Sequence, residues 1–360
     1  MIKIGIDTQS IKGKKTGIGY YTNNLIQNIK RSNNFSFNFY MDEKKEELDT
    51  LGRMFWENVT LPYRAGHDKL DILHIPGFAG PLVKGKYKKI VTVHDLIGMI
   101  FPQNLGFVSR FYWQKWLPQC VKNSDFIIAD SENTKNDIMK FLNISPNKIK
   151  VVYLAVDEIY KPLKDLSGKD VLRKYGIDRK YILNVGTIEP RKNITNLIAA
   201  FNLYLKHATE DFLLVIAGKK GWDYQKCYCK VKELGLQDKV IFCDYVHEKD
   251  LPVLYSLAEV FIYPSFYEGF GLPVLEAMNC ATPVISSCIS SLPEITGDAA
   301  VLVEPDSIES INSALLKTLG DKLLLKELSA KSFEQSKKFS WEKVSKLTLE
   351  TYAEVVNLIA

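Results

Sequence analysis

The sequence predicts an α/β protein with two doubly wound parallel sheets, and three observations support this fold class. Short apolar runs rich in β-branched residues recur along the chain, each followed by polar or glycine residues and a helix-length segment. Continuous apolar strands that alternate with helices are typical of parallel sheets covered on both faces. This alternation of strands and helices is interrupted once near the middle of the chain and then resumes. The length of 360 residues also exceeds that of one typical domain. We therefore expect two domains of the same kind.

The individual strands follow from these runs in chain order. The first series is IKIGID, DILHIPG, KIVTVHD, DFIIADS and KIKVVYLAVD, and the second is YILNVG, DFLLVIAG, KVIFCDYV, EVFIYPS, TPVISS and AAVLVEP. Charged and turn residues cluster between the two series, which favours a domain boundary there. The last segment, FSWEKVSKLTLETYAEVVNLIA, has the apolar spacing of one amphipathic helix. The predicted domains are residues 1–165 and 166–335, and residues 336–360 form a helix that packs back on the first domain.

Composition and charge limit the possible function classes. The chain has 46% hydrophobic and 25% charged residues, which is ordinary for a folded globular protein. Its formal net charge of +5 does not by itself indicate nucleic-acid binding, but it is compatible with an anionic ligand or membrane surface. The six cysteines show neither disulfide-framework nor zinc spacing, so we expect reduced thiols and no metal site. No apolar run has the length of a secretory signal or a membrane span, which predicts a cytoplasmic protein.

In open α/β sheets ligands bind beyond the carboxyl ends of the strands, so candidate residues are sought there. After the first strand, Gly17 and Gly19 precede a helix and would let backbone amides approach a phosphate, although a plain glycine turn fits as well. This is not the dinucleotide fingerprint, because the third glycine is missing and about ten residues separate it from the strand. His94 lies at the end of the run KIVTVHD and could donate to a sugar or phosphate oxygen. His74 and Ser131 have the same placement, and for all three a structural role is the alternative.

In the second half, Arg191 and Lys192 stand between a strand end and a helix start. Two cations at this end of a helix oppose its dipole unless an anion is nearby, and a bound diphosphate would supply one. A solvated basic turn is the alternative. The strand VIFCDYV ends at Tyr245 and Val246, where a nucleotide base could lie against apolar atoms.

The stretch YEGFGLPVLEAM carries the most specific pattern. Gly269 and Gly271 permit a tight loop whose amides point at a ligand, and Pro273 suits the first turn of the helix that follows. Helix amino termini favour anions such as a phosphate. The carboxylates of Glu268 and Glu276 are themselves negatively charged, so they would repel a phosphate that touched them. They are better suited to accept hydrogen bonds from the hydroxyl groups of a sugar and a ribose on either side of a diphosphate.

Taken together, YPSFYEGFGLPVLEAM with its Glu-x7-Glu pattern, GTIEPRKN upstream and PVISS downstream resemble the retaining glycosyltransferases of family four. TGIGYYTNNL, TVHDL and FSWEKV are similar to first-domain and terminal elements of the same family, so the resemblance covers nearly the whole chain. It implies the GT-B fold, in which two doubly wound Rossmann-like domains face a central cleft and a C-terminal helix crosses back to the first domain. The second-domain motifs are the more specific ones.

The resemblance also implies residue roles. Arg191 and Lys192 would neutralise the donor diphosphate, and His94 would lie at the sugar near the reacting carbon. Glu268 would hold hydroxyls of the transferred sugar, and Glu276 would hold the ribose. Gly17 and Gly19 would approach the phosphates from the first domain. The sugar and diphosphate would be contacted by backbone amides of Gly269, Phe270, Gly271 and Leu272. The chain departs from the family at Thr187, where many members have an arginine, and Arg191 would substitute for that charge.

The implied function is retaining, metal-independent hexosyl transfer from a nucleotide diphosphate sugar, which is a substrate and not a cofactor. Since GTIEPRKN is similar to mannosyltransferases, GDP-mannose is the first expected donor, and a surface polysaccharide the expected product. A UDP- or dTDP-sugar-dependent transferase, a UDP-N-acetylglucosamine epimerase and a non-catalytic sugar-nucleotide-binding protein are the alternatives. A glycan or lipid-linked saccharide is the expected acceptor.

One segment of the first domain has the composition of a surface that could contact a membrane carrying a lipid-linked acceptor. FVSRFYWQKWLPQC at residues 107–120 concentrates aromatic and basic side chains, and four lysines form a second basic cluster at Lys84, Lys86, Lys88 and Lys89. Such a surface could rest on the inner face of an anionic membrane. A helix that packs its aromatic residues into the core is the alternative.

Overall fold

The computed structural model describes residues 1–12, 17–30, 32–43, 48–77, 79–163 and 168–357. The chain divides into two compact units. The first unit contains residues 1–154 and 340–360, and the second contains residues 155–339. The predicted boundary at residue 165 falls in the segment 164–167, which lies outside the described residues.

The first unit is built on a parallel six-stranded sheet with the order β2-β1-β3-β4-β5-β6. Its strands are β1 (Ile2–Asp7), β2 (Phe35–Tyr40), β3 (Ile72–Ile75), β4 (Lys88–Val93), β5 (Phe126–Ala129) and β6 (Ile149–Val151). Every residue of β3 and β5 is buried, as expected for inner strands covered by helices on both faces. The structure adds one strand to the prediction, since β2 at the sheet edge was not among the predicted runs.

The helices of the first unit include one from the C-terminal end of the chain. They are α1 (Gly17–Ile29), α2 (Thr50–Phe55), α3 (Leu61–His67), α4 (Ile97–Ile100), α5 (Phe107–Phe111), α6 (Leu117–Lys122), α7 (Glu132–Leu142) and α16 (Trp341–Asn357). A π-helical turn, Trp56–Thr60, joins α2 to α3, and a second, Tyr112–Trp116, joins α5 to α6. Short 3-10 turns cover Gln9–Ile11, Pro102–Asn104 and Pro146–Lys148. The predicted terminal helix is α16, and Val344, Tyr352 and Val355 on it are buried.

The second unit repeats the architecture with the strand order β12-β11-β10-β7-β8-β9, again all parallel. Its strands are β7 (Tyr181–Val185), β8 (Leu213–Ala217), β9 (Val240–Asp244), β10 (Val260–Tyr263), β11 (Val284–Ser287) and β12 (Ala300–Val303). Its helices are α8 (Lys169–Lys174), α9 (Ile194–Leu205), α10 (Gln225–Glu233), α11 (Leu251–Leu257), α12 (Leu272–Asn279), α13 (Leu292–Thr296), α14 (Ile308–Gly320) and α15 (Lys322–Ser336). A 3-10 turn, Pro190–Lys192, stands between β7 and α9.

Strand order determines where each unit can bind a ligand. In the second unit the chain runs outward from β7 through β8 to β9, and then returns to place β10 on the other side of β7. The loops after β7 and β10 therefore lie side by side at the carboxyl edge of the sheet, where such a reversal opens a crevice. These two loops carry the sequence motifs GTIEPRKN and YEGFG.

Candidate active site

A backbone hydrogen bond joins the loops after β7 and β8 beyond the ends of the two strands. The amide of Ile188 donates to the carbonyl of Lys219 (3.0 Å). Gly218 is required by a close approach, because a Cβ at that position would lie 1.9 Å from the carbonyl oxygen of Gly186. Thr187 lies between these contacts and is partly buried. The backbone near the predicted diphosphate site is thereby held on both sides.

The 3-10 turn after β7 presents two cations to the glutamate that follows β10. Lys192 Nζ donates to Glu268 Oε1 (2.6 Å) and also to the hydroxyl of Tyr263. Arg191 Nη1 lies 2.8 Å from the same carboxylate oxygen, and Arg191 Nη2 donates to Glu189 Oε1 (2.6 Å). The structure therefore brings together three of the predicted site residues, and two carboxylates provide the anions that the paired cations require.

Burial makes this cluster electrostatically strong. The side chain of Glu268 is 10% exposed and that of Lys192 9%. Burial alone would raise the pKa of Glu268, but Lys192 and Arg191 outweigh it and lower that pKa to about 2. Burial, only partly offset by Glu268, lowers the pKa of Lys192. For Arg191 the effect of burial is outweighed by Glu268, so the pKa of Arg191 is raised. Glu268 is consequently an ionised hydrogen-bond acceptor at any physiological pH.

The loop that carries Glu268 is fixed by two serines that follow β11. The amide of Glu268 donates to Ser290 Oγ (2.9 Å), and the same hydroxyl donates back to the carbonyl of Glu268 (2.6 Å). Ser291 Oγ donates to the carbonyl of Phe270 (2.6 Å). These bonds set the backbone on both sides of Gly269 before any ligand binds.

Gly271 forms the tight bend in front of α12. Its φ of 115° lies in the left-handed region, and a Cβ there would lie 2.6 Å from Leu292 Cδ2. The helix then begins at Leu272, with Pro273 in its first turn as predicted. The predicted phosphate contacts thus lie on a glycine bend that leads directly into a helix amino terminus.

Glu276 lies one turn into α12 and meets tyrosine hydroxyls. Tyr255 donates to Glu276 Oε2 (2.7 Å), and Tyr160 also hydrogen-bonds this carboxyl group. Burial raises the pKa of Glu276 to about 7, against these two hydrogen bonds, which lower it. The environments of the two glutamates therefore differ, because Glu268 pairs with two cations whereas Glu276 accepts from tyrosine hydroxyls.

The predicted base position follows β9. Tyr245 is largely exposed, whereas Val246 is buried. The preceding residue, Asp244, adopts a left-handed conformation (φ 51°) and forms an ion pair with Lys220 (3.5 Å). An exposed aromatic ring beside a buried valine is a surface on which a planar base can rest.

Gly17 and Gly19 occupy the first turn of α1 and differ in their surroundings. A Cβ on Gly17 would meet nothing within 4 Å, whereas a Cβ on Gly19 would lie 2.4 Å from the carbonyl oxygen of Ser10. Gly19 thus has a packing role against the 3-10 turn after β1, whatever it contacts in a ligand.

His94 lies at the carboxyl end of β4, and both of its ring nitrogens face oxygen acceptors. Nδ1 is 2.6 Å from Asp130 Oδ2, and Nε2 is 2.8 Å from the carbonyl oxygen of Pro76. Since a carbonyl oxygen only accepts, Nε2 carries a proton. Burial would lower the pKa of His94, but Asp130 outweighs it, so this pKa is raised. The histidine is therefore a charged or strongly hydrogen-bonded group before substrate binds.

His74 and Ser131 have the structural roles that the sequence left open. His74 is fully buried, with Nδ1 2.7 Å from the Tyr352 hydroxyl on α16 and Nε2 2.9 Å from Thr92 Oγ1. Burial lowers the pKa of His74 to about 3, so it is neutral. Ser131 accepts from the amide of Thr134 (3.0 Å) and caps α7.

Sequence reasoning missed several residues that complete these sites. Asp130, the partner of His94, follows an apolar strand directly, so its position was a usable signal. The serine and tyrosine partners gave no such signal because each contact joins residues that are distant in the chain. They are Tyr160, Tyr255, Tyr263, Ser290 and Ser291. Glu189 lies only two residues before Arg191 in GTIEPRKN, so its position beside a cation was a usable signal.

Two features are absent from the described part of the chain. Within it, no three His, Cys, Asp or Glu side chains are grouped so that they could hold a metal ion. None of its helices is both long and apolar enough to cross a membrane.

Two doubly wound parallel-sheet units are the architecture of the GT-B fold, and comparison with solved structures agrees. HepE from Anabaena, solved with UDP-glucose, superimposes with a TM-score of 0.77 at 16% identity, over 98% of this chain and 100% of that one. WaaG, described as a glycosyltransferase involved in lipopolysaccharide biosynthesis, gives a TM-score of 0.71 at 15% identity, over 96% and 98%. At these identities the likeness concerns the fold.

Sequence comparisons then show the family. Residues 170–338 match the family model "Glycosyl transferases group 1", and residues 47–159 match "Glycosyltransferase Family 4". O-antigen chain mannosyltransferase B of Escherichia coli is 30% identical over 98% of this chain and 99% of its own. RfbU of Salmonella typhimurium, another O-antigen chain mannosyltransferase, is 32% identical over 62% and 59%. The chain belongs to the group 1 glycosyltransferases.

Proposed function

We propose that this protein is a retaining mannosyltransferase that transfers mannose from GDP-mannose to a growing surface polysaccharide, without a metal ion. The observation that carries the proposal is the cluster of Lys192, Arg191 and Glu268 at the carboxyl edge of the second sheet. It offers cations for a diphosphate and an ionised carboxylate for sugar hydroxyls within 3 Å of one another. The full-length relative named as an O-antigen chain mannosyltransferase supports mannose as the sugar.

The donor is assigned to the second unit by chemistry. Lys192 and Arg191 neutralise the diphosphate together with the amides of the Gly269–Leu272 bend, and Glu268 accepts from hydroxyls of the mannose. Glu276 accepts from the ribose hydroxyls in place of its tyrosine partners. The base rests on Tyr245 and Val246. Because Glu189 and Glu268 already balance the two cations, the bound diphosphate shares them with these carboxylates.

The reaction breaks the bond between the anomeric carbon and the diphosphate oxygen and forms one between that carbon and an acceptor oxygen. The acceptor hydroxyl gives its proton to the departing phosphate oxygen on the same face, so the configuration is retained. Negative charge that develops on the diphosphate is stabilised by Lys192, Arg191 and the α12 amino terminus. The sequence contains no Asp-x-Asp motif, which agrees with cationic side chains serving in place of a metal. His94 is assigned to the sugar near the reacting carbon.

The first unit is the proposed acceptor side, and its surface supports contact with a membrane. On α5, Phe107 is 87% exposed and Phe111 is 51% exposed. Arg110 and Lys115 lie on the same helical segment, which contains no acidic residue. Exposed apolar side chains beside cations are suited to the interface of an anionic bilayer that carries a lipid-linked acceptor.

A thermal-shift panel of GDP-, UDP-, dTDP- and ADP-sugars tests the donor. We expect GDP-mannose to raise the melting temperature most, since only the native state binds the ligand. Glu276→Ala should reduce that shift, and Glu334→Gln, an exposed residue of the same unit, should not. A larger shift with a UDP-sugar would replace the proposed donor, and no shift at millimolar concentration would remove the proposal. The anomeric configuration of the product, read by NMR, tests retention, and full activity in EDTA tests metal independence.

Co-sedimentation with vesicles tests the membrane contact. Wild-type protein should pellet with phosphatidylglycerol vesicles at low salt and much less at high salt. Phe107→Ser combined with Phe111→Ser should abolish pelleting while the donor thermal shift is unchanged. Equal recovery of wild type and variant in the pellet would contradict this part of the proposal.

A further inference from the structure

The register of two neighbouring strands brings His94 and Asp130 together. In the first sheet Val93, the last residue of β4, is paired with Ala129, the last residue of β5. The residues that follow them, His94 and Asp130, therefore leave the sheet side by side, and Nδ1 of the histidine lies 2.6 Å from Oδ2 of the aspartate. This contact lies at the carboxyl edge of the sheet, where open α/β sheets bind their ligands.

Three contacts fix the orientation of the His94 ring. Besides the contact of Nδ1 with Asp130, the carbonyl of Pro76 accepts from Nε2 (2.8 Å). The ring of Tyr21 packs edge to face against the imidazole, with the ring centres 5.0 Å apart and the planes at 80°. A flip of the imidazole would break both hydrogen bonds. The Nε2–H group of His94 is therefore held in one direction.

His74 shows the state of a histidine in the same sheet without a carboxylate partner. It lies on the adjacent strand β3 and is fully buried, and its two nitrogens meet the hydroxyl groups of Tyr352 and Thr92. Burial lowers the pKa of His74 to about 3, so this imidazole is neutral. The two histidines therefore differ in protonation because the partner of His94 is an aspartate and the partners of His74 are hydroxyls.

The titratable groups around His94 come from α1, β3, the end of β5 and its own loop. Burial lowers the pKa of His94, but Asp130 outweighs it, with a smaller contribution from Asp95, so this pKa is raised. His74 is neutral, and Tyr21 remains a neutral phenol because burial and the charge of Asp130 raise its pKa. Burial also raises the pKa of Asp130, and His94 offsets this only in part. The pair therefore keeps the proton between Nδ1 and Oδ2, while Nε2 keeps its own.

The surroundings of Asp130 differ from those of an aspartate that serves stability alone. Its side chain is 1% exposed, and among the described residues its second carboxylate oxygen, Oδ1, is buried without a hydrogen-bond partner. A buried oxygen without a donor lowers stability. Asp125, directly before β5, has both oxygens paired, since Oδ2 accepts from the amide of Lys89 and Oδ1 lies within 4 Å of two lysine ammonium groups. The contact with His94 is therefore what the Asp130 carboxylate provides.

We propose that Asp130 is a positioning residue of the transfer reaction, which aligns His94 and keeps Nε2 a fixed hydrogen-bond donor to an oxygen of the reacting sugar. This inference rests on the proposed function, in which His94 lies at the sugar. The side chain of His94 is 11% exposed whereas Asp130 is buried, so the substrate meets the histidine and the aspartate acts through it. The carbonyl of Pro76 accepts from Nε2 before the substrate binds, and the sugar oxygen then shares or replaces it. His94 is thus a donor and not a base, which agrees with the departing phosphate taking the acceptor's proton.

Histidine NMR tests the pair in the absence of any substrate. The chain has five histidines, so the Cε1–H signals of selectively labelled protein can be assigned with His94→Asn and His74→Asn. We expect His94 to titrate above pH 6.5 in wild type and below it in Asp130→Asn, because burial then acts without its opposing carboxylate. The matched control is Asp125→Asn, which removes a carboxylate at the other end of β5 and should leave the titration of His94 unchanged.

The pH dependence of mannosyl transfer tests whether Asp130 acts through His94. At pH 8, kcat of Asp130→Asn should be roughly tenfold lower or more than that of wild type, since a hydrogen bond from a charged donor is the stronger one, and KM should change less. This deficit should shrink as the pH is lowered toward 5, because His94 regains its proton. In the His94→Asn background, adding Asp130→Asn should have no further effect on kcat. Affinity for GDP, which lacks the sugar, should be equal in all these proteins.

The outcomes separate this inference from the proposed function. An identical His94 titration in wild type and Asp130→Asn, a kcat deficit that does not vary with pH, or additive effects in the double variant would each overturn the positioning role in an active enzyme. Absence of both a sugar-nucleotide thermal shift and transfer in wild type would overturn the proposed function and this inference with it. If Asp130→Asn fails to fold by circular dichroism, wild type decides. The fall of its kcat at alkaline pH should coincide with the titration of His94, and a fall at another pH would overturn the role.

Discussion

Replacing Glu268 by Gln separates the two roles assigned to this residue, that of an internal counter-ion and that of a sugar ligand. The substitution keeps the volume of the side chain and removes its charge. Lys192, which is buried, and Arg191, which is partly buried, both lie within 3 Å of the carboxylate. In the variant Glu189 would remain beside Arg191 as a neighbouring anion. Breaking a buried pair by removing one partner typically costs about 3–5 kcal/mol.

The lowered pKa of Glu268 gives a second value for the free energy by which the two cations stabilise the ionised carboxylate. Its decrease from an ordinary value of 4.5 to about 2 corresponds to about 3 kcal/mol of stabilisation of the ionised form. For a unit of this size a loss of about 3 kcal/mol lowers the melting temperature by roughly 6–12 °C. Because the pKa in the folded state is lowered, this stabilisation is complete above pH 4.5 and is lost as the pH falls toward 2.

The assay is thermal unfolding of wild type and Glu268→Gln between pH 7 and pH 2, with and without pyrophosphate. The difference in melting temperature should be large at pH 7 and should shrink below pH 4.5. Pyrophosphate should stabilise the variant more than wild type, because the two cations no longer share their charge with Glu268. Mannosyl transfer should nevertheless be lost, since the sugar hydroxyls lose their ionised acceptor.

The matched control is Glu334→Gln, which removes an exposed ion pair of the same unit and should cost at most about 1 kcal/mol. If Glu268→Gln is no less stable than this control at pH 7, Glu268 is not the stabilising counter-ion of Lys192 and Arg191. A smaller pyrophosphate shift in Glu268→Gln than in wild type would show that Glu268 does not compete with the diphosphate for Lys192 and Arg191.

Three further predictions concern the remaining groups. The pKa of His94 is raised in the folded protein, so the stability that wild type gains over His94→Asn should be complete below pH 6.5 and lost as the pH rises further, which denaturant titrations at pH 6 and pH 9 would detect. The pKa of Glu276 is raised from 4.5 to about 7, so wild type should lose about 1–3 kcal/mol relative to Glu276→Gln between these pH values, and parallel pH profiles would contradict this. Gly271→Ala should cost about 1–3 kcal/mol and reduce donor binding, whereas Gly320→Ala, with open space around its Cβ, should cost nothing by the same denaturant assay.

The twofold α/β architecture could be predicted because inner parallel strands are buried on both faces. Strands β7, β8 and β10 are buried at every residue, and their sequences are therefore unbroken apolar runs. The edge strand β2 was missed for the converse reason. Its sequence FSFNFY alternates apolar and polar residues, and all but its last residue are only partly buried. An edge strand lacks the neighbour that would make its sequence uniformly apolar.

The sequence predicted that Arg191 and Lys192 need a nearby anion, but it did not predict that Glu268 is this anion. The placement of Arg191 and Lys192 at a helix start indicated that an anion must be near, and the glutamates of YEGFGLPVLEAM indicated hydroxyl acceptors. That Glu268 itself meets both cations depends on the β7–β10 adjacency, which is a property of the sheet order. The anchoring of the loop by Ser290 has the same origin, since β11 follows β10 in the sheet. Neither contact has a periodic signature in the sequence.

The two glutamates of the Glu-x7-Glu pattern consequently differ in ionisation and in hydrogen-bond partners, a difference that the sequence pattern does not show. Glu268 is held ionised by two cations, so it offers a sugar a fixed acceptor whose strength does not change with pH. Glu276 is shifted to a pKa of about 7 and is bonded by tyrosine hydroxyls, so a ribose must replace neutral donors that already satisfy the carboxyl group. Exchange of one hydroxyl donor for another changes the free energy little, whereas a ligand at Glu268 meets a charge that is already present. We therefore expect affinity for the sugar end of the donor to depend on Lys192 and Arg191. Affinity for its nucleoside end should depend on the free energy needed to break the hydrogen bonds of Tyr255 and Tyr160 to Glu276.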